Sequence, residues 1–304
     1  MNSSPDRSDR RRLLLGGSTA ALLAGLSTLA DIAQAQQGQS SKAARRIPSI
    51  FVGHGSPMNA IQDNAFTRHL AKWGQSLGRP VAILSVSAHW LTPGQTLVGI
   101  DDKPKTIHDF GGFPAELHAM QYPARGAPSL AKQAAASLKN VSASTSQAWG
   151  LDHGTWTVLH HMYPKADIPV FQLSIDYAQQ GGYHYGVGQE LAALRDKGVL
   201  VMGSGNVVHN LRATERGVPQ GIMASKPWAQ SFDNAVRDAL AARDDRAVTD
   251  PLSLDGSVRM AVPTPDHYWP LLYALGAAGK AEKTVTTFEG FQAGTISMRC
   301  LQWG

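Results

Sequence analysis

The sequence predicts an α/β fold: a single domain with a largely parallel central sheet flanked by helices, and an active site at the carboxyl ends of its strands. Three observations carry this. Short runs of β-branched and apolar residues alternate with amphipathic helical stretches, as buried parallel strands and their crossover helices do. From residue 47 onward there is no internal repeat and no long low-complexity linker. The apolar runs also end, again and again, in histidines set beside glycine, aspartate or asparagine. In open α/β sheets that edge is where ligands bind.

Residues 1–12 are polar and end in Asp9-Arg10-Arg11-Arg12; Leu13 to Leu29 form a mildly apolar run, and Ala33-Gln34-Ala35 follows. A charged head, an apolar middle and a small-x-small end make residues 1–35 a removable export signal, with no stable membrane anchor. Arg10 and Arg11 ahead of Leu13-Leu14, with so weakly hydrophobic a middle, favour a twin-arginine signal over a general secretory one. That reading implies transient contact with the twin-arginine export machinery and a periplasmic destination. Residues 36–46, rich in Gln, Ser, Lys and Arg, read as a disordered lead-in to a catalytic domain at 47–304. Cleavage after Ala35 leaves 269 residues, enough for one well-buried domain. Four arginines and three aspartates leave with the signal, so the net charge falls from +5 to +4. So small and scattered a charge, with no basic run or aromatic stacking pattern, argues for no nucleic-acid partner. The single Cys300 excludes an intramolecular disulfide and reads as a packed thiol in an apolar terminal strand.

The elements follow in order. Ile47 to Val52 is a buried strand, and Gly53-His54-Gly55-Ser56-Pro57 is a tight loop at its end. Residues 64–77 have helical amphipathicity. Val81 to Ser87 is a second buried strand, ending in Ala88-His89-Trp90; two such histidines can share a metal if their strands are neighbours, about 4.8 Å apart. Residues 96–100 read as an edge strand. Thr106 to Pro114, with Gly111-Gly112 between Phe110 and Phe113, is either a lid or substrate wall or a turn packed on its own aromatics. Tyr122 to Gly126 turns into a helix at 127–138, with Arg125 solvated. Asp152-His153-Gly154 starts a helix running to about Tyr163, with Asp152 either fixing the His153 tautomer or capping the helix with His153 solvated; His160 and His161, inside it, are surface or packing residues. A strand at 168–175, a helix at 184–196 and a strand from Gly198 to Gly205 come next, the last leading into Asn206-Val207-Val208-His209-Asn210. Gly203-Ser204-Gly205 lacks the spacing of a dinucleotide or P-loop motif. Residues 226–244 are helical, Pro263 to Pro270 is a loop-to-helix junction carrying Asp266-His267, and Thr284–Phe288 and Gly294–Cys300 are two closing strands.

His54, His89, His153, His209 and His267 share these strand-end or helix-start settings; His69, His108, His118, His160, His161 and His184 do not. Imidazole is both a common metal ligand and a proton carrier. The sequence holds no H-E-x-x-H or Cys-x-x-Cys pattern, which excludes zincin and thiolate-zinc sites of the usual form; its G-x-S-x-G match, Gly74-Gln75-Ser76-Leu77-Gly78, ends the helical stretch at 64–77 and so is not the strand-to-helix elbow of an α/β serine hydrolase. Trp90, Phe110, Phe113, Trp156, Tyr268 and Trp269 supply aromatic walls suited to a planar substrate.

Gly53-His54-Gly55-Ser56-Pro57, Ser87-Ala88-His89-Trp90, Leu151-Asp152-His153-Gly154-Thr155-Trp156, Gly205-Asn206-Val207-Val208-His209-Asn210 and Thr264-Pro265-Asp266-His267-Tyr268 together resemble class III extradiol ring-cleavage dioxygenases of the LigB superfamily. Within it they are most similar to the DOPA 4,5-dioxygenase-like branch, over roughly residues 47–300. The resemblance implies one divalent metal, Fe(II) or Zn(II), held by His54, His89 and His267, with a small aromatic diol and O2 as substrates. It implies that His209 is the catalytic base, or else a fourth metal ligand, and that His153, oriented by Asp152, bonds the substrate or oxygen. Broader relatives complete the site with a carboxylate; Glu289 is the nearest choice here, while Asp266 supports His267 from behind. Two other classes stay open: a zinc-dependent hydrolase on a similar scaffold and a non-catalytic exported metal-binding protein.

Overall fold

Strand β1 (Ser49–Gly53) lies near the middle of an eight-stranded sheet, and its alternation sets the layers on either side. Ile50 and Val52 join one buried cluster and Phe51 the opposite one, as period-two side chains must. The computed structural model describes Met1, residues 46–214 and residues 221–304. The expected export signal at 1–35 and, Arg46 apart, the lead-in at 36–46 lie outside the described residues beyond Met1.

The remaining strands are β2 (Ala82–Thr92), β3 (Thr96–Gly99), β4 (Ala143–Ser146), β5 (Val170–Asp176), β6 (Val199–Gly205), β7 (Ile222–Met223), β8 (Val285–Phe288), β9 (Phe291–Gln292), β10 (Ile296–Ser297) and β11 (Cys300–Trp303). The large sheet has the order β4-β3-β5-β2-β6-β1-β11-β8, and β10-β9-β7 form a small antiparallel sheet. At the centre β5, β2, β6 and β1 are all parallel, while β11 and β8 close one side antiparallel. The predicted α/β class with a largely parallel sheet is therefore the observed one.

Helices cover both faces. Ala65–Leu77, capped by Asn64 in a capping box with Thr67, packs Phe66, Leu70 and Trp73 with Trp156 and Leu159 of the helix His153–Met162. On the other face lie the helices Gly181–Leu191, Pro227–Ala242 and Trp269–Ala277. The last buries all nine of its residues, which explains why its sequence is apolar all round. Among the described residues no helix is long and apolar enough to cross a membrane.

Three local expectations are corrected, and one open condition is resolved. Residues 96–99 are not an edge strand, since β4 pairs outside them. Strand β2 runs on through His89 to Thr92, with its pairing to β5 slipping between Val86 and Leu91. The stretch Gly294–Cys300 is not one strand: Met298 and Arg299 break it into β10 and the start of β11. Finally, β1 and β2 are not neighbours, because β6 runs between them. Their histidines meet all the same, over the end of β6. There Gly203-Ser204-Gly205 leaves the space; a Cβ on Gly205 would meet the His267 carbonyl oxygen at 2.1 Å.

Candidate active site

Five segments bring their histidines to this one edge. His54 follows β1 in a turn whose next residue, Gly55, has φ +64°, a left-handed conformation that glycine adopts freely. His89 sits where β2 loses register with β5, an irregularity of the kind that re-aims a side chain. His153 is the first residue of its helix, His267 ends the short turn Pro265–His267, and His209 is bridged to Ile296 beyond β6. The His54, His89 and His267 ring centroids are 5.1–5.4 Å apart. His153 lies 3.9 Å from His89, and His209 stacks flat on His267 at 3.6 Å. One ring nitrogen from each of His54, His89 and His267 falls within a 4.8 Å group. His209 is not in that group.

The outer nitrogens are anchored. The Ser204 hydroxyl donates to the Gly154 carbonyl, so its lone pairs are left for His54 Nδ1 at 3.0 Å. His267 Nδ1 donates to Asp266, and His89 Nδ1 is 3.4 Å from Asp109 Oδ2. Each contact favours the Nδ1–H tautomer and turns an Nε2 lone pair inward. His54 Nε2 and His89 Nε2 then face each other at 3.3 Å. Two lone pairs at that distance repel unless a cation lies between them. The separation also matches the edge of a tetrahedron drawn with metal–nitrogen bonds of about 2.0–2.1 Å. The donor set fits a divalent metal.

Electrostatics agree. Burial, and then the neighbouring imidazoles, hold His54 and His89 well below the usual histidine range, so both are neutral at pH 7, as a metal would require of its ligands. Burial, with His267 beside it, pushes His209 down to about 3. Burial alone would raise Asp266, but the hydrogen bond and charge of His267 bring it far below the carboxylate range.

The five histidines line a cavity of about 340 Å³ whose wall includes Phe110, Phe113, Leu211 and Ile296. The other expected aromatics do not face it. Trp90 stacks on Trp149, the buried Trp156 donates to the Ile107 carbonyl, Tyr268 donates to the Val248 carbonyl, and Trp269 packs on His184. The six histidines outside the expected set also lie elsewhere: His108 bonds the Met120 carbonyl, His161 the Asn59 carbonyl and His184 the Tyr273 hydroxyl.

Two carboxylates are reassigned. Asp152 does not orient His153; it caps the helix at Thr155 and bonds Ser87, Trp149 and Gln172, all away from the imidazole. Asp109 does so instead, accepting from the His153 backbone N–H through Oδ1 and from His153 Nδ1 through Oδ2, both at 2.9 Å. Glu289 does not complete the site, because its exposed side chain pairs with Arg299 at 3.3 Å. Asp109 and Ser204 are thus the residues that sequence reasoning missed. Asp109 was in view as the one carboxylate within the Thr106–Pro114 loop.

The profile of the family described as the catalytic LigB subunit of aromatic ring-opening dioxygenase matches residues 47–298. The 4,5-DOPA dioxygenase extradiol of Escherichia coli (strain K12) is 44% identical over 263 residues, which cover 85% of this chain and 95% of that protein. The protein of the same name from Beta vulgaris is 39% identical over 259 residues, 82% and 93% of the two chains. A crystal structure of an uncharacterized protein from Escherichia coli K12 superposes with a TM-score of 0.73 at 41% identity, over 85% of this chain and all of that one. The chain belongs to the LigB family, the class III extradiol ring-cleaving dioxygenases.

Proposed function

We propose that this dioxygenase opens the ring of a catechol, DOPA or a related dihydroxyphenyl compound, beside its two hydroxyls, at a divalent metal held by His54, His89 and His267. The observation that supports the reading best is the convergence of three imidazoles, each anchored from outside through Nδ1, onto one point beside an aromatic-walled cavity. A bound Fe(II) or Zn(II) supplies Lewis acidity towards the diol, and Fe(II) also supplies a redox path between the diol and O2.

The chain's own residues position the substrate and carry protons. His209, held neutral by burial, takes a hydroxyl proton from the diol and returns it to an O2-derived oxygen as the O–O bond breaks and the ring opens. His153, with Nδ1–H on Asp109, presents Nε2 to the substrate oxygens. Phe110 and Phe113, packed edge to face at 5.3 Å, form the wall for a flat ring, and Leu211 and Ile296 help to exclude water. Both atoms of O2 enter the product and the electrons come from the ring, so the balance closes without an external reductant.

Anaerobic loading of the purified protein with Fe(II) and separately with Zn(II), followed by a catechol panel including DOPA in air, tests this. Oxygen uptake and a yellow ring-opened product are expected with iron, and both should vanish in His54→Ala and His209→Ala. Tight stoichiometric metal with no uptake on any catechol would turn the reading to a zinc hydrolase. The paired Arg10-Arg11 supports export by the twin-arginine route; replacing both with lysine should then empty the periplasmic fraction.

A further inference from the structure

We propose that Asp109 is a positioning residue shared by a metal ligand and a proton carrier, and that it sets the tautomers of His89 and His153 together. The inference rests on the metal-site reading above and names a residue that the reading does not itself require. One oxygen of Asp109 serves two rings: Oδ2 is 2.9 Å from His153 Nδ1 and 3.4 Å from His89 Nδ1. The other, Oδ1, accepts the His153 backbone N–H at 2.9 Å and so fixes the rotation of the carboxylate. The side chain is 16% exposed, sheltered enough for these contacts to persist.

The residue is held in place by its backbone. Ile107 N–H donates to the Leu151 carbonyl at 2.7 Å, Leu151 N–H donates to the Lys105 carbonyl at 2.8 Å, and Trp156 Nε1 donates to the Ile107 carbonyl at 2.9 Å. These bonds tie the loop to the start of the helix that carries His153. Phe110, the next residue, stands edge-on to His153 at 5.6 Å and lines the cavity. Substrate wall, proton carrier and metal ligand therefore meet at Asp109.

The chemistry makes a sharp distinction between oxygen and nitrogen at this point. A carboxylate only accepts, so both rings facing Oδ2 carry their proton on Nδ1 and keep Nε2 free. In Asp109→Asn, Oδ1 still satisfies the His153 backbone N–H, which leaves the amide NH2 facing both Nδ1 atoms. A donor there cannot face two Nδ1–H groups. At least one ring must move its proton to Nε2, against the metal or the substrate.

The test reads tautomers directly. Long-range 15N–1H NMR of the Zn(II)-loaded protein should show Nδ1–H for both His89 and His153 in the wild type, and Nε2–H for at least one of them in Asp109→Asn. Chelator competition should show Zn(II) binding 10–100-fold weaker in Asp109→Asn and Asp109→Ala, the usual cost of losing an outer partner of a ligand. Asp109→Glu, which restores an acceptor, should recover part of that loss. A wild-type protein with Nε2–H on either ring would overturn the proposal. So would an Asp109→Asn variant that keeps both Nδ1–H tautomers and wild-type Zn(II) affinity, or two Zn(II) per chain, which would make Asp109 a ligand. A wild type that binds no metal yet shows both Nδ1–H tautomers would sink the metal-site reading and leave the Asp109 assignment standing.

Discussion

Gly154 stands at the contact between the helix His153–Met162 and the histidine cluster, and adding one methyl there separates site geometry from fold stability. A Cβ at this position would lie 2.6 Å from Ser87 Oγ, 3.0 Å from His89 Cδ2 and 3.3 Å from His54 Cε1. Ser87 is not free to yield, since its hydroxyl donates to the buried Asp152 at 2.6 Å. Overpacking of this kind costs about 1–3 kcal/mol, and the better helix propensity of alanine returns about 1 kcal/mol. The net loss of fold stability is then at most about 2 kcal/mol, or a few degrees in Tm for a domain of this size. The displacement falls on the two rings that must face each other, so Zn(II) affinity should drop at least tenfold, a free energy of about 1.4 kcal/mol. Gly186→Ala is the control. That glycine is also helical, and a Cβ on it would meet nothing within 4 Å. It should raise Tm by about 2–4 °C, from a gain near 1 kcal/mol, with metal affinity unchanged. Calorimetry of the metal-free proteins and chelator competition provide the two readings. If Gly154→Ala bound Zn(II) as tightly as the wild type, with kcat/KM on its best catechol intact, close packing at residue 154 could not be what holds His54 and His89 in place.

Three further outcomes follow from the same contacts. Ser204→Ala removes the acceptor behind His54 Nδ1 and the donor to the Gly154 carbonyl; metal affinity should fall 10–100-fold in a titration while the circular dichroism spectrum stays that of the wild type. His184 is wholly buried, and burial lowers it to about 4 against the opposing pull of Asp176 and the Gln179 backbone, with Tyr273 and Tyr183 packed on it. A lowered histidine is neutral in the fold but protonates in the unfolded chain, so stability is lost as pH falls from about 6.5 towards 4, by up to roughly 3 kcal/mol. His184→Gln should flatten that part of the Tm–pH curve, and an unchanged slope would remove His184 from the account. The fully buried Arg195 binds the carbonyls of Ile47, Ala277 and Trp303 as well as Glu282; Arg195→Ala should cost about 3–5 kcal/mol in urea unfolding, because three carbonyls lose this charged donor together and Glu282 is left with the Gly279 N–H and Arg46.

The central strands were legible because each is buried on both faces, so its sequence is a continuous apolar run that needs no partner to be recognised. Strand β4 was not, since Ala143-Ser144-Thr145-Ser146 has no apolar signature and becomes a strand only by pairing along β3. Nor was the insertion of β6 between β1 and β2. Strand order is a contact between distant segments, and no local pattern encodes it. The slip in β2 that aims His89 is likewise a product of its two neighbours: β6 stays in register to Ser87, whereas β5 resumes pairing only at Leu91.

In the site, the histidines were legible and their supports were not, for one physical reason. A histidine brought close to other backbone needs a small or turn-forming neighbour, and that neighbour is adjacent in sequence: Gly55 after His54, Gly154 after His153. A support needs only to reach a ring nitrogen, and it can arrive from any segment. Asp266 is adjacent to its histidine and was correctly placed behind it. Asp152 is just as adjacent to His153, but a carboxylate at a helix N-cap is committed to the backbone N–H groups of the first turn, and this one turns back towards Ser87 and Gln172. The position beside His153 Nδ1 was thereby left for Asp109, 44 residues upstream. Adjacency to an imidazole is therefore evidence of support only where the carboxylate is not already needed as a cap. By that rule Asp152 would have been set aside from the sequence alone, and the carboxylate of the Phe110 loop would have been the next to consider.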